Sequence, residues 1–328
     1  MTILLLGANG QVGWELRRSL APLGPLVACD RGDIDLEDLD RLRSTLRRIT
    51  PSFVVNAAAY TAVDKAESEP DRAYRINAEA VELLARESKR LNSWLVHYST
   101  DYVFDGEKST PYREDDKPNP LSVYGKSKLE GERAIQESGC HYLIFRTSWV
   151  YAARGHNFIR TILRLARERE ELNIVADQFG VPTGAELLAD VSTLAIHNLL
   201  INKHPLPLGE CRVGGGNNRL ARDGSFGNDL QSTDRSDIYH LVPSGETSWH
   251  GFAQHIIAAA ARRGFELRAP PDRVYPIATS EYPTPAKRPA SSRLDTQKLR
   301  KAFGIFLPAW EEGVERVVGE VVGSGESR

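Results

Sequence analysis

Short apolar runs alternate with longer amphipathic segments along the first half of the chain. In the longer segments the apolar residues recur three and four positions apart, which indicates helices that cover a sheet with one face. Alternation of this kind predicts βαβ units and therefore an α/β fold with a doubly wound parallel sheet of the Rossmann type. Candidate strands lie at residues 3–6, 26–29, 53–56, 94–99 and 142–147, and candidate helices at 37–49, 73–91 and 122–136.

The pattern becomes less regular after Thr147. We expect some of the later strands to join the sheet and the remaining segments to form a smaller, discontinuous C-terminal substrate-binding lobe. The domain prediction is a dinucleotide-binding domain at 1–150, to which 172–245 returns in part, and a lobe at 151–171 and 246–328. The later predicted elements are helices at 157–169 and 185–200, strands at 173–175 and 238–242, a helix from the Ser248 cap to Arg263, and a last helix after Pro308.

Two stretches carry no regular pattern of apolar residues. Residues 209–237 include three consecutive glycines and few large apolar side chains, so they cannot offset the entropy of ordering and are predicted to form a mobile surface loop. Residues 274–293 are rich in Pro, Ser and Thr and are predicted to be an ordered irregular segment over a cleft.

Composition narrows the function to small-molecule chemistry. The chain has 328 residues, a formal net charge of -2 and three widely spaced cysteines. That charge provides no broad field for nucleic acid or an anionic membrane, and the cysteine spacing suggests neither a disulfide framework nor a zinc site. The first apolar run stops at Gly7, too short for a signal peptide or a membrane span. We therefore expect a cytoplasmic protein.

A glycine-rich turn follows the first predicted strand and opens a helix. Glycine is needed where the backbone turns sharply and where a pyrophosphate approaches the amides of a helix amino terminus. A plain strand-to-helix turn is the alternative, but the position directly after an amino-terminal apolar strand favours a dinucleotide. The candidate cofactor-binding residues here are Gly7, Gly10, Gln11, Val12 and Gly13.

The ends of the second and third strands extend this cofactor site. Asp30 is placed to bind an adenosine ribose, whereas the adjacent Arg31 suits a 2′-phosphate, so the sequence leaves NADH and NADPH open. Asp33 and Ile34 are candidates to flank the adenine. The small residues after the third strand would let a dinucleotide lie flat across the strand ends, and the candidates there are Ala58, Ala59, Tyr60 and Thr61.

A tyrosine and a lysine four residues apart carry the candidate chemistry. Tyr124 and Lys128 share one face of a predicted helix, where the cation would lower the tyrosine pKa and hold the cofactor ribose. A carbonyl that accepts hydride needs a proton on its oxygen, and Tyr124 is the candidate donor. Thr100 ends the fourth strand on the same edge and is the candidate donor that polarises the carbonyl.

Taken together, the motifs resemble the dTDP-4-dehydrorhamnose reductase family, within the extended short-chain dehydrogenases/reductases, over nearly the whole chain. The resemblance runs through the segments at 10–16, 56–67, 99–104, 124–128, 145–151, 177–180, 182–183 and 282–285. It implies reduction of the C4 ketone of dTDP-4-dehydro-L-rhamnose to dTDP-L-rhamnose with NADPH, or NADH, in the synthesis of cell-surface polysaccharide.

The same resemblance implies further residue roles. Asp101 and Tyr102 would join Thr100 on the substrate side, Trp149 would face the sugar nucleotide, and Arg288, with Lys287 beside it, would meet the diphosphate. It also implies a homodimer linked by Mg²⁺ through three glutamates, for which hard carboxylate oxygens are suited. Those that match in this chain are Glu15, Glu186 and Glu320.

Two other functions share the same motifs. A sugar-nucleotide 4-epimerase would use the same tyrosine and lysine but return the hydride to its substrate. A non-catalytic dinucleotide-binding regulatory subunit would keep the fold without turnover, although retention of Thr100, Tyr124 and Lys128 argues against it. Relative to the family, 209–237 resembles an insertion far from every motif.

Overall fold

The structure is a computed structural model that describes residues 1–203 and 235–323. Its strands in chain order are β1 Ile3–Leu6, β2 Leu26–Cys29, β3 Phe53–Asn56, β4 Trp94–Thr100, β5 His141–Thr147, β6 Val150–Tyr151, β7 Leu172–Val175, β8 Phe179–Gly180, β9 Thr183–Gly184, β10 Asp237–His240, β11 Thr247–Ser248 and β12 Val274–Ile277. Its helices are α1 Gln11–Ser19, α2 Leu39–Ile49, α3 Val63–Ala66, α4 Pro70–Tyr74, α5 Ala80–Leu91, α6 Val123–Ser138, α7 Phe158–Glu168, α8 Ala185–Lys203, α9 Trp249–Arg262, α10 Gln297–Phe303 and α11 Trp310–Gly323.

One six-stranded parallel sheet organises the chain, in the order β10-β5-β4-β3-β1-β2. The predicted doubly wound α/β fold is therefore confirmed. The strand order reverses between β1 and β3, and sheets of this kind bind ligands outside the carboxyl ends of their strands at such a point. The fold thus places a binding cleft beside Gly7, which follows β1, and Asn56, which ends β3.

Helices cover both faces of this sheet. Ile3 and Leu5 of β1 pack into one apolar cluster, and Leu4 and Leu6 pack into another on the opposite face. Successive strand residues point to opposite faces, so a strand buried on both sides needs a continuous apolar run, which β1 has.

A separate apolar core lies in the C-terminal part of the chain. Phe252 and Ile256 of α9 are fully buried there, together with Ile159 of α7 and Val314 of α11. The amphipathic patterns predicted for these segments are confirmed as helices, and the Ser248 hydroxyl caps α9 by accepting from the Gly251 amide at 3.1 Å.

The structure corrects several predicted elements. β7 does not join the large sheet but pairs with β12, which begins the segment predicted to be irregular. The predicted helix at 73–91 begins at Pro70, because proline suits the first turn, and it passes through a π-helical turn at Arg75–Glu79. Helix α10 was not predicted from the sequence. Asp237, placed in the predicted loop, begins β10; residues 209–234 of that loop lie outside the described residues.

Candidate active site

A cleft of about 1010 Å³ opens at the carboxyl edge of the sheet. Its walls come from the ends of β1, β3, β4 and β5, from the start of α6, and from the C-terminal segment that carries Arg288. The structure brings most of the predicted site residues together here. Those that line the cleft are Gly7, Gly10, Gln11, Val12, Asp30, Ile34, Ala58, Ala59, Tyr60, Thr61, Thr100, Asp101, Tyr102, Tyr124, Lys128, Trp149 and Arg288.

The glycine turn is required by close backbone contacts. Gly7 has φ +77°, and a Cβ there would lie 2.7 Å from the Ala58 nitrogen. A Cβ on Gly13 would lie 2.0 Å from the Gly7 carbonyl oxygen, so Gly13 supports the turn from within α1 and does not line the cleft. The Gly10 N-cap has no side chain to satisfy the first amides of α1. These amides can therefore bind a phosphate group.

The end of β2 forms a polar turn beside the cleft. Asp30 accepts from Asn9 Nδ2 at 2.5 Å and from the Gly32 amide at 2.8 Å. Asp33 does not line the cleft, because its carboxylate accepts from the Asp30 amide at 3.0 Å and holds the turn. The exposed guanidinium of Arg31 pairs with Asp35 at 3.0 Å. Both groups that the sequence proposed for the adenosine ribose therefore stand at this end of the cleft.

Tyr124 lies in the first turn of α6, which begins at the Ser122 N-cap. Burial raises the pKa of Tyr124 to about 12, and a hydrogen bond with the Thr100 side chain opposes this shift. Lys128 is not among the groups that shift this pKa in the structure, because its Nζ is bound by the Tyr98 carbonyl oxygen, and the expectation that Lys128 lowers the pKa of Tyr124 stays a prediction. Tyr124 therefore keeps its phenolic proton at neutral pH, where it is available for donation.

Lys128 is buried one turn further along the same helix. Its Nζ donates to the Tyr98 carbonyl oxygen at 2.7 Å and lies 3.0 Å from His97 Nε2. Burial lowers the pKa of Lys128 to about 8, and the nearby Glu132 carboxylate raises it again in part. The ammonium can therefore release its proton more readily than an exposed lysine would.

Thr100 connects Tyr124 to a buried carboxyl group. Its Oγ1 donates to Asp101 Oδ1 at 3.0 Å, and the Tyr102 amide donates to the same Oγ1 at 3.2 Å. Burial raises the pKa of Asp101 to about 6, opposed by a hydrogen bond from Ser292. Tyr124, Thr100 and Asp101 thus form one hydrogen-bonded row along the cleft.

The raised pKa of Asp101 predicts a pH-dependent stability. The folded state binds the Asp101 proton more tightly than the unfolded state, whose pKa is near the usual 3.8. The free energy of unfolding should therefore fall as pH rises from about 4 to about 6, by at most about 3 kcal/mol from this group. Urea unfolding of wild type and Asp101→Asn at several pH values measures the difference. Parallel curves for the two proteins would contradict the prediction.

The far wall of the cleft is aromatic. Trp149 follows β5 with φ +47° and stacks on Trp249 of α9, with ring centroids 3.7 Å apart and an interplanar angle of 14°. A Cβ on Gly180 would lie 2.6 Å from Trp149 Cε2, so the small residue leaves room for the indole. The pair therefore presents a rigid apolar surface beside Tyr124 and Thr100.

Arg288 lies over the cleft and is held by an acidic partner. Its guanidinium forms a two-pronged ion pair with Asp64 of α3, at 2.8 and 3.1 Å. The hydrogen bond from Arg288 lowers the pKa of Asp64. Lys287 is exposed and does not line the cleft. Of the predicted basic pair, the structure places only Arg288 at the site.

The three glutamates predicted to bind Mg²⁺ lie outside the cleft, on α1, α8 and α11. Burial raises the pKa of Glu15, Arg18 lowers it and Glu320 raises it further, so the carboxylates of Glu15 and Glu320 are near one another. The Glu186 carboxylate contacts the Arg316 guanidinium. Over 1–203 and 235–323, no group of three or more His, Cys, Asp or Glu is arranged to hold a metal ion. The magnesium-linked dimer stays a prediction.

Several residues that contact the predicted ones were not predicted from the sequence. Asn56 and His97 lie behind Lys128, Asp64 orients Arg288, and Trp249 supports Trp149. The signal that could have found two of them is that Asn56 and His97 are polar residues in otherwise continuous apolar runs that form buried strands. Buried polar groups are hydrogen-bonded, so each of these two residues was expected to have a polar partner nearby.

The fold and the site together define a nicotinamide-dependent oxidoreductase with the tyrosine and lysine of the short-chain dehydrogenases/reductases. A family model described as the RmlD substrate binding domain matches residues 1–206 and 226–322. The chain belongs to this family, that of the dTDP-4-dehydrorhamnose reductases, which confirms the resemblance.

Individual relatives agree along the whole length. The chain is 46% identical to the dTDP-4-dehydrorhamnose reductase of Escherichia coli K12 over 325 residues, covering 98% of each chain. It is 47% identical to that of Burkholderia thailandensis over 322 residues, covering 98% of this chain and 99% of the relative. A crystal structure of the Bacillus anthracis dTDP-4-dehydrorhamnose reductase in complex with NADP is 33% identical, with a TM-score of 0.79, and covers 96% of this chain and 98% of that one.

Among the described residues, none of the helices has the length and apolar content needed to span a bilayer.

Proposed function

We propose that this protein reduces the C4 ketone of dTDP-4-dehydro-L-rhamnose to dTDP-L-rhamnose with NADPH. The relatives named above support the substrate and the complex with NADP supports the cofactor. The observation that carries the chemistry is the hydrogen bond between Tyr124 and Thr100 at the floor of the cleft, one helical turn from Lys128. NADPH supplies the hydride when bound.

The residues of the cleft would divide the remaining work. Tyr124 is protonated at neutral pH and donates its phenolic proton to the oxygen of the ketone as hydride reaches the carbon. Thr100 turns its single hydroxyl proton from Asp101 to the same oxygen and stabilises its developing charge. Lys128 stabilises the phenolate that remains and supplies the proton that restores Tyr124.

The two ends of the cleft would hold the two ligands. The glycine turn and the amides of α1 bind the NADPH pyrophosphate, with Asp30 and Arg31 at the adenosine end. Trp149 packs against the sugar nucleotide and Arg288 binds its diphosphate. We propose accordingly that 1–150 is the dinucleotide-binding part, with part of 172–245, and that 151–171 and 246–328 bind the sugar nucleotide.

Replacing Arg288 with methionine is expected to raise the KM for the dTDP-sugar by about 10–100-fold, because charge-assisted hydrogen bonds to the diphosphate are lost. The effect on kcat should be smaller, since Arg288 acts on a part of the substrate remote from the ketone. Steady-state kinetics at saturating NADPH measures both constants. Lys287→Met is the matched control and should leave KM unchanged. A larger effect from Lys287→Met would show that Lys287, and not Arg288, binds the diphosphate.

The proposed function is tested by following NADPH absorbance with enzymatically prepared dTDP-4-dehydro-L-rhamnose, with NADH and no-sugar reactions in parallel. Sugar-dependent oxidation that yields dTDP-L-rhamnose supports the proposal. Interconversion of dTDP-sugars without net oxidation would indicate an epimerase. NADPH binding without any turnover would indicate a regulatory subunit.

We further propose that the protein acts in the cytoplasm as a homodimer. Cys29 and Cys140 are free and buried, as suits a reducing compartment. Sedimentation with and without Mg²⁺ tests both the dimer and the predicted role of Glu15, Glu186 and Glu320.

A further inference from the structure

A histidine with no assigned role lies directly behind Lys128. His97 is in the middle of β4, and only 1% of its surface is exposed. Its parallel neighbour in β3 is Asn56, which is equally buried. Burial and the adjacent Lys128 hold the pKa of His97 well below its usual range, so the ring is neutral.

Asn56 determines which ring nitrogen of His97 carries the proton. The Asn56 Oδ1 accepts from the Ala58 amide at 3.2 Å, so the amide group must turn its Nδ2 toward the ring. Nδ2 lies 3.2 Å from His97 Nδ1 and donates to it. A neutral imidazole that accepts at Nδ1 carries its proton on Nε2.

The Nε2 proton then points at the reactive lysine. His97 Nε2 is 3.0 Å from Lys128 Nζ, whose other partner is the Tyr98 carbonyl oxygen. A neutral amine satisfies both contacts, because it accepts from Nε2 and donates to the carbonyl. An ammonium has no lone pair, so its N–H would face the N–H of His97 Nε2, and two donors that face each other form no hydrogen bond.

The other charged groups near Lys128 act differently. Glu132, one turn further along α6, favours the ammonium, but its carboxylate is bound by Arg146 of β5 at 2.9 and 2.6 Å. On the side of the cleft, Tyr124 and Asp101 are each protonated more readily than usual. The Asn56–His97 pair is therefore the contact that specifically stabilises the neutral amine.

We propose that His97, oriented by Asn56, is a positioning residue that fixes Lys128 Nζ and makes its proton easier to release during the reduction. This rests on the proposed function. Tyr124 gives its phenolic proton to the ketone oxygen, a proton from the Lys128 ammonium restores the phenol, and the amine left behind accepts the hydrogen bond from His97 Nε2. A proton from solvent then restores the ammonium, which completes the balance.

The test compares the pH dependence of kcat for wild type, His97→Gln and Asn56→Asp. His97→Gln places an amide oxygen beside Lys128 Nζ. Asn56→Asp accepts from His97 Nδ1, which reverses the tautomer and leaves Nε2 as an acceptor. In either variant the Lys128 ammonium gains a hydrogen-bond acceptor. The alkaline limb of the profile, which reports Lys128, should move to higher pH by about one pH unit in each. His97→Leu removes the Nε2 donor without adding an acceptor, so it should lower kcat and move this limb upward by less than His97→Gln does.

Val96→Ala is the matched control, since it shortens a fully buried side chain of the same strand. It should lower stability and leave the alkaline limb in place. If His97→Gln and Asn56→Asp fold normally by circular dichroism and the limb stays where it is in wild type, His97 is structural only and the proposal is overturned.

A readout independent of turnover separates this proposal from the proposed function. NMR of protein labelled with ¹³C at the lysine Cε, with the signal assigned through Lys128→Arg, follows the titration of Lys128 directly. An upward displacement of that titration in His97→Gln supports the role of His97 even if the dTDP-sugar is not reduced. If wild type does not reduce the dTDP-sugar but the Lys128 titration still moves in His97→Gln, the proposed substrate is rejected and the role of His97 is retained.

Discussion

Replacing Tyr124 with phenylalanine is expected to lower kcat by about 10²–10⁴-fold, the usual contribution of a positioned general acid. The ring and its edge-to-face contact with Tyr102, at 5.6 Å between centroids, remain, so NADPH affinity should be unchanged. Single-turnover measurements of NADPH oxidation give the rate of the reduction, and a separate binding measurement gives the affinity for NADPH. Because only the hydroxyl is removed, the loss should appear in kcat and kcat/KM alike.

Tyr239→Phe is a suitable control for this variant. Tyr239 is also buried and also hydrogen-bonded, to the Arg235 carbonyl oxygen, but it lies in β10 away from the cleft. It should retain wild-type turnover. Comparable turnover in Tyr124→Phe and Tyr239→Phe would mean that another group protonates the ketone.

Breaking the ion pair between Arg146 and Glu132 is expected to lower the free energy of unfolding by about 3–5 kcal/mol. The two side chains are 2% and 1% exposed and form two parallel hydrogen bonds between β5 and α6. In Arg146→Met the carboxylate is left buried without its partner, and the cost arises mainly from that charge. Urea unfolding followed by circular dichroism measures the change.

The double variant Arg146→Met with Glu132→Leu should recover most of the lost stability. An apolar pair of similar volume leaves no buried charge, and such replacements are often neutral or stabilising. A double variant as unstable as the single one would show that the pair is needed for the packing of α6 rather than for charge compensation.

Local sequence features were sufficient to bring most of the predicted cofactor-binding residues to one cleft. The glycine turn could be placed because the constraint on Gly13 acts within the loop and the first turn of α1, as the 2.0 Å approach of a Gly13 Cβ to the Gly7 oxygen shows. The four-residue spacing of Tyr124 and Lys128 likewise fixes their shared helix face without any knowledge of the rest of the fold.

The surroundings of those residues could not be predicted in the same way. Asn56 and His97 meet only because β3 and β4 pair in one particular register, and a shift by one residue would turn His97 to the other face. The protonation of Tyr124 depends on desolvation, which is a property of the folded cleft and not of the spacing. The pairing of β7 with β12 joins segments about 100 residues apart, for which a single sequence carries no signal.

The stacked indoles of Trp149 and Trp249 give the protein a built-in optical probe. Two rings 3.7 Å apart and nearly parallel couple their electronic transitions, so they contribute a characteristic near-ultraviolet circular dichroism band. Trp149 also lines the cleft, where indole emission overlaps the absorption of a reduced nicotinamide. Ligand arrival would therefore be visible as quenched tryptophan fluorescence, and separation of the two rings as loss of the coupled band, without any attached dye.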